Sequence, residues 1–194
     1  MAGLILLAIV VVPAVTAVMA YNGLVTRRSS YRNAFGQIDV QVKRRHDLVP
    51  NLVATAREYL RHEHDTLEAV AHARNVAASA ASAAAARPGD PRAMQAMAGA
   101  ESALTASLSR LVAVSERYPD LKGNETMAVL TEELASTENR IAFARQAFND
   151  AVMEYNVARE QFPAVLVASS LGFGKAAEYY EAQPVDREPV PVAF

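Results

Sequence analysis

The chain lacks cysteine and tryptophan altogether, and only 7% of its 194 residues are aromatic. Without cysteine there are no disulfides, no thiolate nucleophile and no cysteine-ligated zinc. A net charge of −2 excludes a generally basic nucleic-acid-binding protein. Because alternation of β-branched and aromatic residues is also scarce, no sheet pattern competes with the helical bias of 39 alanines. The composition therefore predicts an all-α protein.

Aspartate, glutamate, lysine, arginine and histidine are missing from the first 26 residues, and residues 4–20 are an almost unbroken apolar run. With the following residues the run reaches the ~20 positions that cross about 30 Å of hydrocarbon as a helix. A cleaved signal peptide is the alternative, with Val18-Met19-Ala20 as the cleavage site. Since no basic segment precedes the run, and the run exceeds the usual signal core, we predict a transmembrane anchor over residues 1–26.

Basic residues follow the predicted anchor and none precedes it. Arg27, Arg28 and Arg32 lie within a few positions of the span, where they are expected to contact lipid headgroups. By the positive-inside rule, the amino terminus is expected outside and the helical body in the cytoplasm.

Beyond the anchor, apolar residues recur every three or four positions, which is the period of an amphipathic helix. The first stripe runs from Tyr31 to Val70 and predicts one helix that continues through the alanine-rich stretch 77–86. Pro50 interrupts the stripe, so a kink or short break is expected between Asp47 and Asn51.

Two further long helices are predicted. The second helix is predicted to start at Asp90, which precedes a proline, and to end at Pro119. The third is predicted to be capped by Asn124 and to end at Pro163. Short loops make these helices antiparallel neighbours. A shorter apolar piece, 165–180, is expected to be partly helical and to pack on the bundle. The predicted parts are an anchor at 1–26, an up-and-down helical bundle at 27–182 and a flexible proline-rich acidic tail at 183–194.

Two segments resemble chemical motifs and depart from them. A metalloprotease helix needs H-E-x-x-H, but Thr66 stands where the second histidine belongs after His62 and Glu63. The sequence G-F-G-K at 172–175 lacks the earlier glycine of a phosphate-binding loop and has Ala176 in place of serine or threonine. We therefore predict no enzymatic activity, cofactor, metal or small-molecule substrate. A metal-dependent hydrolase using His62, Glu63, His64 and His72 is the weakest alternative.

Polar residues that interleave with the apolar stripes predict contacts between helices, because buried charges are tolerated only when paired. The proposed contact residues are Arg44, Arg45, Asp47 and Asn51 on the first helix, and Glu138, Asn139, Arg140 and Arg145 on the third. The alternative is that these charges flank the stripes and are solvated. Asn149 and Asn156, seven residues apart, are candidates for polar contacts that fix register.

Several segments are similar to the LemA family of bacterial membrane proteins: Y-N-G-L-V at 21–25, I-D-V-Q-V-K-R-R-H-D-L-V-P-N-L-V at 38–53 and T-E-N-R-I at 137–141. The resemblance extends from about residue 4 to residue 182. It implies an anchor whose amino end lies outside and an up-and-down bundle of the four-helix type. It supplies no catalytic residue, cofactor or established activity.

Two functional hypotheses follow. The first is a non-enzymatic membrane-anchored scaffold that self-associates, because the predicted first helix is longer than its partners and leaves apolar stripe uncovered. The alternative is a monomeric adaptor or regulator of an envelope protease or sensor system. The expected partners are the lipid bilayer, other copies of the chain and, for the adaptor, another membrane protein; no nucleic acid is expected.

Overall fold

The computed structural model describes residues 1–181, with the side chains of residues 2, 5 and 6 left out of the description. The elements in chain order are α1 (Ala2–Tyr59), α2 (His64–Ala86), α3 (Pro91–Ser115), the single turn α4 (Pro119–Lys122), α5 (Glu125–Glu160) and a 3₁₀ turn (Ala164–Leu166). No strand occurs within these 181 residues. The predicted all-α architecture is therefore confirmed, whereas the predicted tail lies outside the described residues.

The first helix is not broken at Pro50, and the prediction that it continues to residue 86 is wrong. Helix α1 runs through Pro50 and ends at Tyr59, after which the chain reverses at Leu60–Glu63. Val49, Leu52 and Val53 are buried on both sides of the proline. Tertiary packing of this face keeps the helix continuous although the proline offers no N–H.

The reversal makes α2 an antiparallel neighbour of α1. Arg74 donates from Nε to the carbonyl of His46 over 3.0 Å, and Gly89 lies against the ring of Tyr31. As residue numbers rise in one helix they fall in the other. The fourth long helix of the bundle is thus α2. The piece at 165–180 is helical only in a 3₁₀ turn, and it packs on the bundle as predicted, with Ala168, Phe173, Ala177 and Tyr180 buried.

The two predicted helix starts agree with the structure. The Asp90 carboxylate accepts from the amide of Ala93, and the Asn124 side chain accepts from the amide of Met127, each over 3.0 Å. These caps satisfy amides that have no partner inside the helix. Helices α3 and α5 therefore begin where local chemistry directs them to.

The core consists of two apolar clusters on either side of a polar layer. One cluster contains Leu24, Phe35 and Phe148 near the apolar amino-terminal end, and the other contains Leu52, Leu104 and Leu111 toward the opposite end. Between them the bundle buries charged side chains, which are described below. The amino-terminal part of α1 extends beyond the bundle, and its large apolar side chains from Leu7 to Val15 are exposed.

Gly89 should be the glycine that the fold tolerates losing least. Its φ is +83°, and an added Cβ would lie 3.0 Å from the Cβ of Ala177 and 3.2 Å from Cε2 of Tyr31. Gly89→Ala should lower the free energy of unfolding by about 1–3 kcal/mol. Gly36→Ala, in an open helical position, should instead raise it by about 0.5–1 kcal/mol. Urea titrations followed by circular dichroism measure both, and equal effects would contradict the described backbone.

Candidate functional site

The polar layer is built around Arg45, which is 2% exposed and lies in the carboxy-terminal half of α1. Its guanidinium donates to the carboxylate of Glu101 on α3 and to that of Glu138 on α5. It also donates to the Thr105 hydroxyl over 3.2 Å. One buried cation therefore connects three helices, and its charge is balanced by carboxylates from two of them.

Glu101 carries the second half of the layer. While its Oε2 accepts from Arg45, its Oε1 lies 2.9 Å from Nε2 of His46. Burial, together with the nearby Arg45 and Arg74, lowers the pKa of His46 from 6.5 to about 4. At neutral pH the imidazole is uncharged, so Nε2–H donates to Glu101. Both carboxylate oxygens of Glu101 are thus used in holding α1 against α3.

Only part of the predicted contact set meets in this layer. The structure brings Arg45 against Glu138, and on the surface Arg44 lies 3.6 Å from Glu133. The guanidinium of Arg145 lies 6.0 Å from the ring centroid of Tyr180. The remaining members are exposed and lie outside the layer: Asp47, Asn51, Asn139 and Arg140.

Sequence reasoning missed Glu101 and His46. Glu101 stands on the apolar stripe of α3, between the buried residues Met97 and Leu104, so a carboxylate at a core position was the available signal. No pattern in the sequence indicated that His46 is buried. An amphipathic stripe rarely includes two consecutive residues, and both Arg45 and His46 are buried only because α1 has neighbouring helices on several sides.

The two asparagines of α5 hold an extended segment rather than another helix. Asn149 donates to the carbonyl of Tyr180 and accepts from its amide, over 3.1 and 2.8 Å. Asn156 does the same with Ala177, over 2.9 Å in each direction. Each amide side chain therefore satisfies both backbone groups of one residue and fixes the segment on α5.

Beside this segment lies a cleft of about 860 Å³ at the anchor end of the bundle. Its lining includes Arg28, Arg32, Tyr155 and Lys175. The guanidinium of Arg28 also lies 4.5 Å from the ring centroid of Phe173, while Arg27 lies exposed one residue earlier. Burial raises the pKa of the Tyr155 hydroxyl, so that hydroxyl stays neutral at physiological pH. The cleft is basic where the body meets the apolar end of α1.

The histidine-rich segment at 62–65 serves the turn between α1 and α2. Glu63 accepts from Arg117 over 3.1 Å and from the Tyr118 hydroxyl over 3.3 Å, which ties the turn to the end of α3. His64 lies 3.6 Å from Glu68 on the surface. Within the described residues, no three histidine or acidic side chains are grouped so that they could hold a metal ion.

The uncharged state of His46 makes stability depend on pH. Its folded pKa of about 4 lies below the unfolded value of 6.5, so the unfolded chain binds the proton more readily. Above pH 6.5 His46 is neutral in both states and does not lower the free energy of unfolding. As the pH falls toward 4, protonation of the unfolded chain lowers that free energy by on the order of 3 kcal/mol in all. His46→Gln keeps a donor to Glu101 but does not titrate. Denaturant titrations across this range should show a steeper loss for the natural chain than for the variant, and parallel curves would contradict the arrangement.

Comparison with known proteins identifies the family of this chain. The LemA family profile matches residues 34–194. Magnetosome protein MamQ of Magnetospirillum gryphiswaldense is 28% identical over 190 residues, covering 90% of this chain and 70% of that protein. Magnetosome protein MamQ 2 of Paramagnetospirillum magneticum is 27% identical with the same coverage. With its single apolar amino-terminal helix, the chain is a membrane-associated, all-α protein that belongs to the LemA family.

Proposed function

We propose that the chain is a single-pass, non-enzymatic scaffold whose copies self-associate at the inner membrane of a bacterium. The observation that supports this most is the continuity of α1, which is one helix of 58 residues from the apolar end into the core of the bundle. No linker separates the two parts, so the helical body is held rigidly at the membrane surface.

The amino-terminal part of α1 has the properties of a retained anchor. In the described chain, α1 alone is long and apolar enough to cross a membrane, and only 6% of its most apolar window is buried. In water this exposure would be unfavourable by roughly 25 cal/mol per Å² of apolar surface, whereas lipid removes the cost. The helix then enters the core at Leu24, which is 1% exposed.

A structural role is supported by what the polar residues contact. The buried charges of Arg45 and Glu101 pair with each other between α1 and α3, and Glu63 connects the turn after α1 to the end of α3. These groups are used in joining elements of the bundle, which is what a scaffold requires.

The support for self-association differs from the sequence argument. Helix α2 covers the apolar stripe that a longer first helix would have left exposed. An uncovered stripe on α1 therefore no longer supports self-association. Outward apolar side chains remain, among them Val40 on α1 (58% exposed) and Phe143 on α5 (75% exposed). Phe35 contacts Phe148, and Arg45 contacts Glu138. Val40 and Phe143, midway between these contacts, therefore lie at the same height of the bundle. Tethering in one membrane raises the effective concentration of such surfaces.

Native mass spectrometry of the detergent-extracted protein tests self-association. We expect an oligomer that the double variant Val40→Glu/Phe143→Glu converts to monomer without loss of helicity, because two charges replace apolar contacts. Val76→Glu, at an exposed position on α2, is the matched control and should leave the oligomer intact. A strict monomer at every concentration would contradict self-association. It would favour the monomeric adaptor or regulator of an envelope protease or sensor, which the same helical bundle also allows.

The proposed orientation places the amino terminus outside and the body in the cytoplasm. Arg27, Arg28 and Arg32 follow the apolar run, and positively charged flanks remain on the cytoplasmic side. At that position they would contact anionic headgroups, with about 1 kcal/mol for each well-placed cation.

Because the chain has no cysteine, single cysteines report its orientation directly. In intact spheroplasts, a membrane-impermeant maleimide should label Gly3→Cys, and it should label Val76→Cys only after the membrane is permeabilised. The two sites lie on opposite sides of the proposed span. Labelling of Val76→Cys in intact spheroplasts would place the body outside and reverse the orientation.

A further inference from the structure

The segment that follows α5 has the reverse of the usual arrangement of apolar residues. Residues 161–174, here the apolar wedge, contain no lysine, arginine, aspartate, glutamate or histidine. Phe162 (78%), Val165 (48%) and Leu166 (69%) are exposed, whereas the small Ala164 and Ala168 are buried against the bundle; of the large apolar residues, Phe173 near the end of the wedge is buried. In water the large residues would be expected inside.

The wedge lies beside the part of α1 that the proposed span places in lipid. Twenty residues from Leu4 end at Gly23, which at 1.5 Å per residue is about 30 Å. A cavity of about 400 Å³ is lined together by Thr16, Met19 and Ala20 of α1 and by Phe162, Pro163 and Ala164 of the wedge. The wedge therefore lies at the depth of the last two turns of the span.

Seven backbone amides of the wedge are paired internally, whereas those of Phe162, Ser169 and Ser170 have no backbone partner in the described chain. The amides of Val165, Leu166, Val167, Ala168, Leu171, Gly172 and Phe173 all donate to carbonyls within residues 161–169. The hydroxyl of Ser170 likewise donates to the carbonyl of Val167. Because unpaired backbone groups cost several kcal/mol in hydrocarbon, internal pairing is what contact with lipid requires.

Cations lie at the edge of the wedge that faces the body. Arg159 donates from Nη1 to the carbonyl of Gly174 over 3.0 Å and from Nη2 to the exposed Glu160 carboxylate over 2.6 Å, and its own side chain is 16% exposed. Arg28 lies over the Phe173 ring. Lys175 follows directly and lines the basic cleft. The change from apolar to basic surface occurs over a few residues, as at the boundary between acyl chains and headgroups.

We propose that the apolar wedge inserts into the leaflet on the side of the helical body, so that the bilayer contacts this protein at two places. Phe162, Val165 and Leu166 contact the acyl chains, and Arg28, Arg159 and Lys175 face the headgroups. This proposal depends on the proposed anchor, since the depth of the wedge is measured from the span of α1.

Because the chain has no tryptophan, single tryptophans report this depth without background. The full-length protein is reconstituted in phosphatidylcholine–phosphatidylglycerol vesicles whose acyl chains carry bromine, which quenches fluorescence on contact. Phe162→Trp and Leu166→Trp should emit at shorter wavelength and lose as much fluorescence as Val12→Trp, inside the span. Val129→Trp is the matched control, because Val129 is 52% exposed on α5 but lies far along the bundle from the anchor. It should not be quenched.

The outcomes separate the wedge from the anchor. Quenching of Val12→Trp without quenching of Phe162→Trp and Leu166→Trp would overturn the wedge and leave the anchor in place. A blue-shifted but unquenched Phe162→Trp would show that protein covers the wedge, which also overturns the proposal. An unquenched Val12→Trp would overturn the anchor itself, and with it the wedge.

Discussion

The burial of the Arg45 guanidinium is the constraint on which the rest of the bundle depends. A guanidinium remains protonated at any pH at which proteins fold, so taking it out of water requires carboxylates at fixed positions. Glu101 and Glu138 supply them from α3 and α5. A slip of α3 by one turn would move the buried Glu101 carboxylate by about 5 Å, away from both Arg45 and His46, and the same slip of α5 would separate Glu138 from Arg45. Apolar residues on either side of the layer tolerate such slips more easily, so the polar layer sets the register and the apolar clusters supply the burial.

The helices could be predicted from the sequence wherever local chemistry decides their ends. Asp90 and Asn124 cap α3 and α5 as their sequence positions indicate. The turn at Leu60–Glu63 has no such signal, since it contains neither glycine nor proline and the Glu63 side chain does not cap α2. Packing selects it, because reversal there buries Leu67 and Val70 in the same cluster as the second half of α1. Pro50 shows the converse, a strong local signal that tertiary packing overrides.

The candidate site could be predicted only in part, for a related reason. A cation on an apolar stripe and acidic residues on another helix pointed to the pairing of Arg45 with the 138–145 region. Glu101 had to be recognised on α3, whose place in the bundle depends on the unpredicted turn before α2. The spacing of Asn149 and Asn156 predicted a register function but not its partner, because nothing in the sequence shows that 177–180 is extended. Periodicity identifies which residues face inward, and topology decides what they meet.

Both ends of the apolar wedge are fixed to the bundle, and this determines how the body stands at the membrane. Its start follows directly from α5, and the segment after it is held by Asn149 and Asn156 through paired backbone hydrogen bonds. A body attached to a bilayer by one helix is free to rotate about the axis of that helix. A second point of contact, displaced from that axis and rigidly connected to it, removes the rotation and restricts the tilt. The same faces of α1 and α5 would then be presented at the same height by every copy in the membrane, which is the geometry that lateral association of a scaffold requires.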